Sequence, residues 1–336
     1  MAIADFFKKR NQEEFRPREL PLLRAKERES KKVKETKGSS KWVFGLLTAS
    51  IFLSLVFWLW GSFSRGDLIK RGARSPASVS WPSPTPTLIP KKTEEIREKI
   101  KALTAPLKGT YGVFVFNLTT KESYGLSQDE VFTAASLIKL PVILTLYQEV
   151  EEGSLSLETK YTLWQEDKRS GSGSLVGKPV GTVYTYQKLA ELMGQQSDNT
   201  AFAALTRILG EKKIQTTIES LDMNKTSLAR NETTPTDIGL FYRKLYGGSV
   251  VTREHRDEIL EFLTNTIYED RIPAGVPEGT RVAHKIGTEL GVFSDSGVVF
   301  ASRPFVLVIM SKNALEKEAK TALVEITKAV WEFENK

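Results

Sequence analysis

The chain has 336 residues, two histidines, no cysteine and a formal net charge of +7. Disulfides and thiolate metal sites are excluded, and a histidine-built metal site has too few ligands, so neither metal nor cofactor is expected. The length suits one large domain or two small ones, with further segments attached.

The charge is unevenly placed. Residues 1–41 hold 13 Lys and Arg against seven Asp and Glu, a net of +6, which leaves the rest of the chain at +1. A basic balance spread over a folded face would suggest nucleic acid. Here the excess instead abuts residues 42–64, WVFGLLTASIFLSLVFWLWGSFS, an uncharged run between Lys41 and Arg65. That length matches the roughly 20 apolar residues of a membrane-crossing helix. It is too long and too far from the N-terminus for a cleavable signal peptide, and no small-residue cleavage site follows it. The expected topology is one pass through the plasma membrane at residues 42–64. Because Lys and Arg in short segments stay inside, residues 1–41 form a cytoplasmic tail and the remainder is extracytoplasmic.

Residues 65–92 read as a linker, since Ser75–Pro90 carries five prolines among Ser and Thr. Such a composition favours an extended spacer over a helix or a central strand. The folded part is expected from about Thr93 to Lys336, a size that suits a two-lobed domain.

Within it, residues 94–103 have helical spacing, and YGVFVFN at 111–117 with a short run at 122–124 reads as a hairpin. A long helix is expected after Ser136, with Pro141 tolerated in its first turns. Residues 186–265 are almost all helical in pattern, with helix starts at Thr234 to Asp237 and at Thr252 with His255, and stops at Gly210 and Gly247. Strands return in VAHKIGTEL, GVFSDSGVVFA and PFVLVIMS, and a last amphipathic helix runs over 315–334. The predicted class is α/β of the α+β kind. An antiparallel sheet drawn from both ends of the domain is flanked by helices, with an all-helical lobe inserted.

Three short constellations carry chemistry. In Ser136-Leu137-Ile138-Lys139 the hydroxyl and the amine share a helix face, and apolar neighbours surround the lysine. A buried lysine with a lowered pKa can take the proton that keeps a serine hydroxyl unreactive. Ser197-Asp198-Asn199 lies between two helical segments, where its side chains can relay a proton, bind a substrate amide or simply cap the next helix. Lys285-Ile286-Gly287-Thr288 lies on a strand, where a glycine suggests that something approaches the backbone closely. The alternative is an edge strand whose lysine discourages aggregation.

In this order the three resemble the motif set of class A β-lactamases and penicillin-binding proteins. FTAASLIKL, the Gly171 to Leu175 run, LAELMGQQSDNTA, TTPTD at Thr233 and AHKIGTELG are similar to segments of that family, and the resemblance covers residues 93–336. It implies a serine hydrolase that is acylated at Ser136 by a β-lactam or a D-Ala-D-Ala-type peptide. Lys139 would be the base, and Ser197 would pass the proton to the leaving nitrogen. Asn199 would hold substrate and lysine, Lys285 would attract the substrate carboxylate, and Gly287 and Thr288 would line the substrate strand. The backbone N–H groups of Ser136 and Thr288 would form the oxyanion hole.

Two departures qualify the resemblance. Ile286 stands where the family usually has a hydroxyl residue. The E-x-x-L-N segment, whose glutamate serves deacylation in class A β-lactamases, is absent from the shortened stretch MNKTSLARNETT at 223–234. Glu232, its one acid, reads as a loop anchor. Three functions stay open: a β-lactamase with another base or slow turnover, a D,D-peptidase acting on wall peptides, and a module that binds penicillin without hydrolysing it.

Overall fold

The computed structural model describes residues 91–336; the expected tail, membrane span and most of the linker, residues 1–90, lie outside them. Among the described residues, no helix is long and apolar enough to cross a membrane.

Helix α1 (Lys91–Thr104) starts two residues ahead of the expected domain boundary. It leads into strands β1 (Thr110–Asn117) and β2 (Ser123–Leu126). After the long helical insertion come β7 (Val282–Glu289), β8 (Val292–Val299) and β9 (Phe305–Lys312), then helix α8 (Glu316–Glu334). These five strands form one sheet in the order β2-β1-β9-β8-β7, with every neighbouring pair antiparallel. Both termini of the domain therefore contribute to the sheet, as the pattern predicted.

The sheet is apolar on both faces, which explains why its strands read as continuous hydrophobic runs. Val113 and Val115 of β1 pack with Ile96 and Ile100 of α1 and with Leu323 and Ile326 of α8. Phe114 and Phe116 point the other way, into a second cluster shared with the helical lobe. Residues 305–310 of β9 divide in the same alternation between the two clusters.

The helical lobe contains α2 (Lys139–Glu151), α3 (Tyr186–Gln195), α4 (Asn199–Leu209), α5 (Glu211–Ser220), α6 (Pro235–Tyr246) and α7 (Arg253–Phe262). Thr234 accepts a hydrogen bond from the Asp237 N–H and Thr252 from the His255 N–H, so both expected caps are made. Two small antiparallel pairs complete the fold. One joins β3 (Phe132–Thr133) to β6 (Glu232–Thr233), and the other joins β4 (Lys160–Thr162) to β5 (Val183–Thr185).

One buried polar group ties the sheet to the loop before β7. His284 is fully buried, with Nδ1 2.9 Å from Asp295 Oδ1 on β8 and Nε2 3.3 Å from Glu269 Oε1. Burial alone disfavours the imidazolium, but the charges of and hydrogen bonds to Asp295 and Glu269 outweigh it and raise the pKa to about 9. A folded-state pKa above the unfolded value near 6.5 gives stability that is complete below pH ~6.5 and lost as pH rises through about 9. The denaturant midpoint of the protein should therefore fall over that interval, by on the order of 3 kcal/mol in unfolding free energy. In His284→Asn that part of the pH dependence should vanish. An unchanged pH profile in the variant would show that His284 does not carry it.

Candidate active site

Ser136 lies in a 3-10 turn, Ala135–Ile138, that leads directly into α2. The β3–β6 pair holds this turn from one side, and the Ala134 N–H donates to the Asn231 carbonyl at 2.8 Å. Ala135 adopts the left-handed region, φ 46°, where a non-glycine residue is costly and persists only if its surroundings enforce it. From the other side comes β7. A Cβ added at Gly287 would lie 3.0 Å from the Ala134 carbonyl oxygen and 3.3 Å from Leu137 Cγ. The close approach that the strand glycine suggested is thus made by the turn carrying Ser136.

Lys139, the first residue of α2, is 2% exposed. Its Nζ is 2.9 Å from Ser136 Oγ, 3.1 Å from Ser197 Oγ, 2.6 Å from the Ser197 carbonyl and 2.6 Å from Asn199 Oδ1. Burial lowers its pKa to about 8, while the charge of Asp198 works in the opposite direction. A neutral amine has two N–H donors and one lone pair. The two carbonyl oxygens can take both donors, which leaves the lone pair for the Ser136 hydroxyl proton.

Asn199 is fixed as an acceptor toward Lys139 because its Nδ2 donates to the Ser170 carbonyl at 2.9 Å. Gly171 makes room for it. That residue has φ 101°, and a Cβ there would lie 2.7 Å from Asn199 Nδ2. Asp198 takes the capping role. Its Oδ1 accepts from the Thr200 and Ala201 N–H groups, both at 2.9 Å, and its Oδ2 accepts from the Leu175 N–H at 2.8 Å. Ser197, between these two helices, also has a left-handed φ of 54°.

Lys285 occupies an edge strand of the sheet but is 2% exposed, so it does not serve as an outward charge against strand pairing. Burial pushes its pKa well below the ordinary lysine value, and the charges of Lys139 and Arg271 push the same way. Arg271 carries no sequence signal of a site, since an arginine in a long loop reads as solvated. Yet it is 3% exposed, and its guanidinium donates to the Gly287 carbonyl at 3.1 Å and to Thr288 Oγ1 at 2.6 Å. Three basic side chains, Lys139, Lys285 and Arg271, thus gather near β7.

A cavity of about 420 Å³ opens at Ser136, with Lys139, Asn199, Phe202 and Thr288 in its walls. Residues 223–234 supply Leu228 and Asn231 to it. Glu232 instead pairs with Arg230 at 2.7 Å, and its backbone bridges to Ser227. Glu289, an exposed residue at the end of β7, is the one carboxylate among the lining residues. Asn231 was missed in the sequence. It has φ 52°, and its buried Oδ1 has no hydrogen-bond partner among the described residues. Among the described residues, no group of three or more His, Asp or Glu side chains could hold a metal ion.

The family model of the β-lactamase enzyme family matches residues 95–333. The chain belongs to that family. Among its relatives, β-lactamase VEB-1 of Pseudomonas aeruginosa is 22% identical over 72% of this chain and 91% of its own. A β-lactamase of Bacillus licheniformis is 24% identical over 72% and 84%. Among solved structures, the β-lactamase of Sphaerobacter thermophilus is 27% identical, with a TM-score of 0.69 over 72% of this chain and 97% of that one. A mutant of PBP-A, solved as an acyl-enzyme complex with penicillin G, is 25% identical, with a TM-score of 0.68 over 71% and 96%. These likenesses place the chain with class A β-lactamases and PBP-A, as an enzyme of the β-lactamase type.

The setting of Lys139 predicts how reactivity at Ser136 depends on pH. The rate of covalent labelling by a penicillin should rise with pH through about 8 and level off above it. Stopped-flow or quench measurements between pH 6 and 10 check this. A rate independent of pH over that range would exclude Lys139 as the proton acceptor.

Proposed function

We propose that this β-lactamase-type enzyme is acylated at Ser136 by β-lactams and releases the acyl group slowly. Neutral Lys139 accepts the hydroxyl proton as Ser136 Oγ attacks the carbonyl. The new C–O bond forms, the amide C–N bond breaks, and the proton passes through Ser197 to the leaving nitrogen. Asn199 positions the substrate amide. Lys285, with Arg271 and Thr288, draws the substrate carboxylate toward β7, where Gly287 lets the strand lie against the nucleophile's turn. The backbone N–H groups of Ser136 and Thr288 receive the oxyanion, the type of interaction that usually contributes most to acyl transfer.

The observation that carries this reading is the contact of Lys139 Nζ with Ser136 Oγ at 2.9 Å inside a buried cage. Slow release rests on a different one. The wall formed by residues 223–234 presents Leu228 and Asn231 to the cavity and no carboxylate. The same wall supports a second reading, D,D-peptidase action on the stem peptides of the cell wall, in which no dedicated base for β-lactam hydrolysis is needed. Residues 42–64 support a single-pass plasma-membrane anchor that leaves the catalytic domain extracytoplasmic and near such a substrate.

The full chain in detergent should be labelled by fluorescent penicillin, whereas Ser136→Ala should remain unlabelled. The wild-type label should persist for hours. A Leu228→Glu variant, which brings a carboxylate to that wall, should shorten the lifetime of the label by about 100-fold, the scale of a positioned general base. Glu289→Gln should leave the lifetime unchanged. Release from wild type within seconds would sink the slow-release reading, and loss of that speed in Glu289→Gln would name the unexpected base.

A further inference from the structure

The buried guanidinium of Arg271 is held by uncharged oxygens. It donates to the Gly287 carbonyl at 3.1 Å, to the Ser294 carbonyl at 2.5 Å and to Thr288 Oγ1 at 2.6 Å. Its Nε has no hydrogen-bond partner among the described residues. Asp270, the one carboxylate within 4 Å of it among those residues, lies 3.8 Å away and is shared with Lys320 at 3.0 Å. The charge of Arg271 is therefore only partly balanced within the chain, which suits a group that receives a substrate carboxylate.

Such a charge is useful only if the segment that bears it is fixed, yet residues 263–272 lie outside any helix or strand. Contacts at positions 266, 269 and 272 fix it instead, and all three converge on one pair in the sheet. His284 of β7 and Asp295 of β8 are both fully buried. His284 Nδ1 lies 2.9 Å from Asp295 Oδ1, and its Nε2 lies 3.2 Å from Thr266 Oγ1 and 3.3 Å from Glu269 Oε1. Both ring nitrogens thus face a carboxylate, an arrangement that suits the imidazolium, which donates from each. The other oxygen of Asp295, Oδ2, accepts from the Ile272 N–H at 3.0 Å. Two consecutive strand residues therefore grip two consecutive loop residues. The Ser294 carbonyl takes the Arg271 guanidinium, and the Asp295 carboxylate takes the backbone of Ile272.

We infer that Asp295, paired with His284, is a positioning residue for anionic substrates: it fixes the backbone beside Arg271 and so holds the guanidinium against Thr288 in the cavity wall. Neither Asp295 nor His284 lines the cavity at Ser136, so both act through Arg271. An amide at position 295 would keep the shape and could still accept from Ile272, but it would not balance the imidazolium. The contacts at 266, 269 and 272 share that pair, so they loosen together when it is weakened. The inference rests on carboxylate recognition at β7 in the proposed function and names what holds that wall in place.

The test uses the full chain in detergent and two fluorescent penicillins that differ only at the carboxylate, one free and the other a methyl ester. The acylation rate of Ser136 is measured with each. The acid-to-ester ratio is then compared between variants, because both rates scale alike with the fraction of folded protein. Arg271→Gln should lower this ratio by about tenfold, the scale of one charge-assisted hydrogen bond. Asp295→Asn should lower it by about fivefold, and the double variant should fall no further than Arg271→Gln alone, since the two act along one path. His284→Asn should lower the ratio as Asp295→Asn does, and it replaces that variant if the latter does not fold. Leu323→Ala, in the cluster between the sheet and α8, should lower the denaturant midpoint and keep the wild-type ratio.

A ratio unchanged in Asp295→Asn and His284→Asn, effects that multiply in the double variant, or an equal loss in Leu323→Ala overturns the positioning role and leaves Arg271 as the partner of the carboxylate. Equal rates for acid and ester in wild type, or a ratio unchanged in Arg271→Gln, overturn carboxylate recognition by Arg271 and the positioning role with it.

Discussion

A lysine amine held out of water among four oxygens is the constraint around which this domain is arranged. Lys139 meets Ser136 Oγ, both oxygens of Ser197 and Asn199 Oδ1, none of them a carboxylate. Burial without a paired anion disfavours the charged amine, and its pKa falls to about 8. Each neighbouring element contributes to that environment. The 3-10 turn that leads into α2 sets the serine beside the lysine. The loop before α4 brings Ser197 and Asn199, with Asp198 holding the loop closed, and β7 seals the turn at Gly287. Two residues in the left-handed region, Ala135 and Ser197, lie at these junctions, so local backbone cost is concentrated where the side chains must converge.

The two halves of the chemistry are built on opposite walls. The β7 side is rich in basic groups: Lys285 and Arg271 are both nearly fully buried, and Arg271 donates to Thr288 Oγ1. That wall suits capture of an anionic substrate and the step that forms the acyl-enzyme. The wall from residues 223–234 is short and presents Leu228 and Asn231. Electrostatics that favour attack and a surface poor in bases for release can therefore coexist in one cavity.

Much of this arrangement was legible in the residues. Strands such as β1 and β9 are buried on both faces, so their apolar runs stand out without alternation, and the helices of the inserted lobe announce themselves by period and by Thr caps. The seven candidate residues lie on elements that the pattern could place, and the structure draws Ser136, Lys139, Ser197 and Asn199 into direct contact. What stayed hidden depends on tertiary proximity. Arg271 looks like any loop arginine until β7 folds beside it. Leu228 is one apolar residue in a polar loop, and nothing local says that it faces a cavity. The β4–β5 pair has three-residue strands separated by 20 residues, too short for any periodicity to register. Asn231 did carry a signal, because asparagine is enriched where the backbone turns left-handed.

The most direct measurement is the protonation of Lys139 itself. Lysine labelled with 13C at Cε would be introduced into the protein, and Lys139→Arg would assign the resonance. The account predicts a Cε titration with a midpoint at about 8, far below that of the exposed lysines. A midpoint above 10 would leave roughly one amine in a thousand or fewer neutral at pH 7, against about one in ten for a midpoint of 8, and Lys139 could not then be the group that activates Ser136.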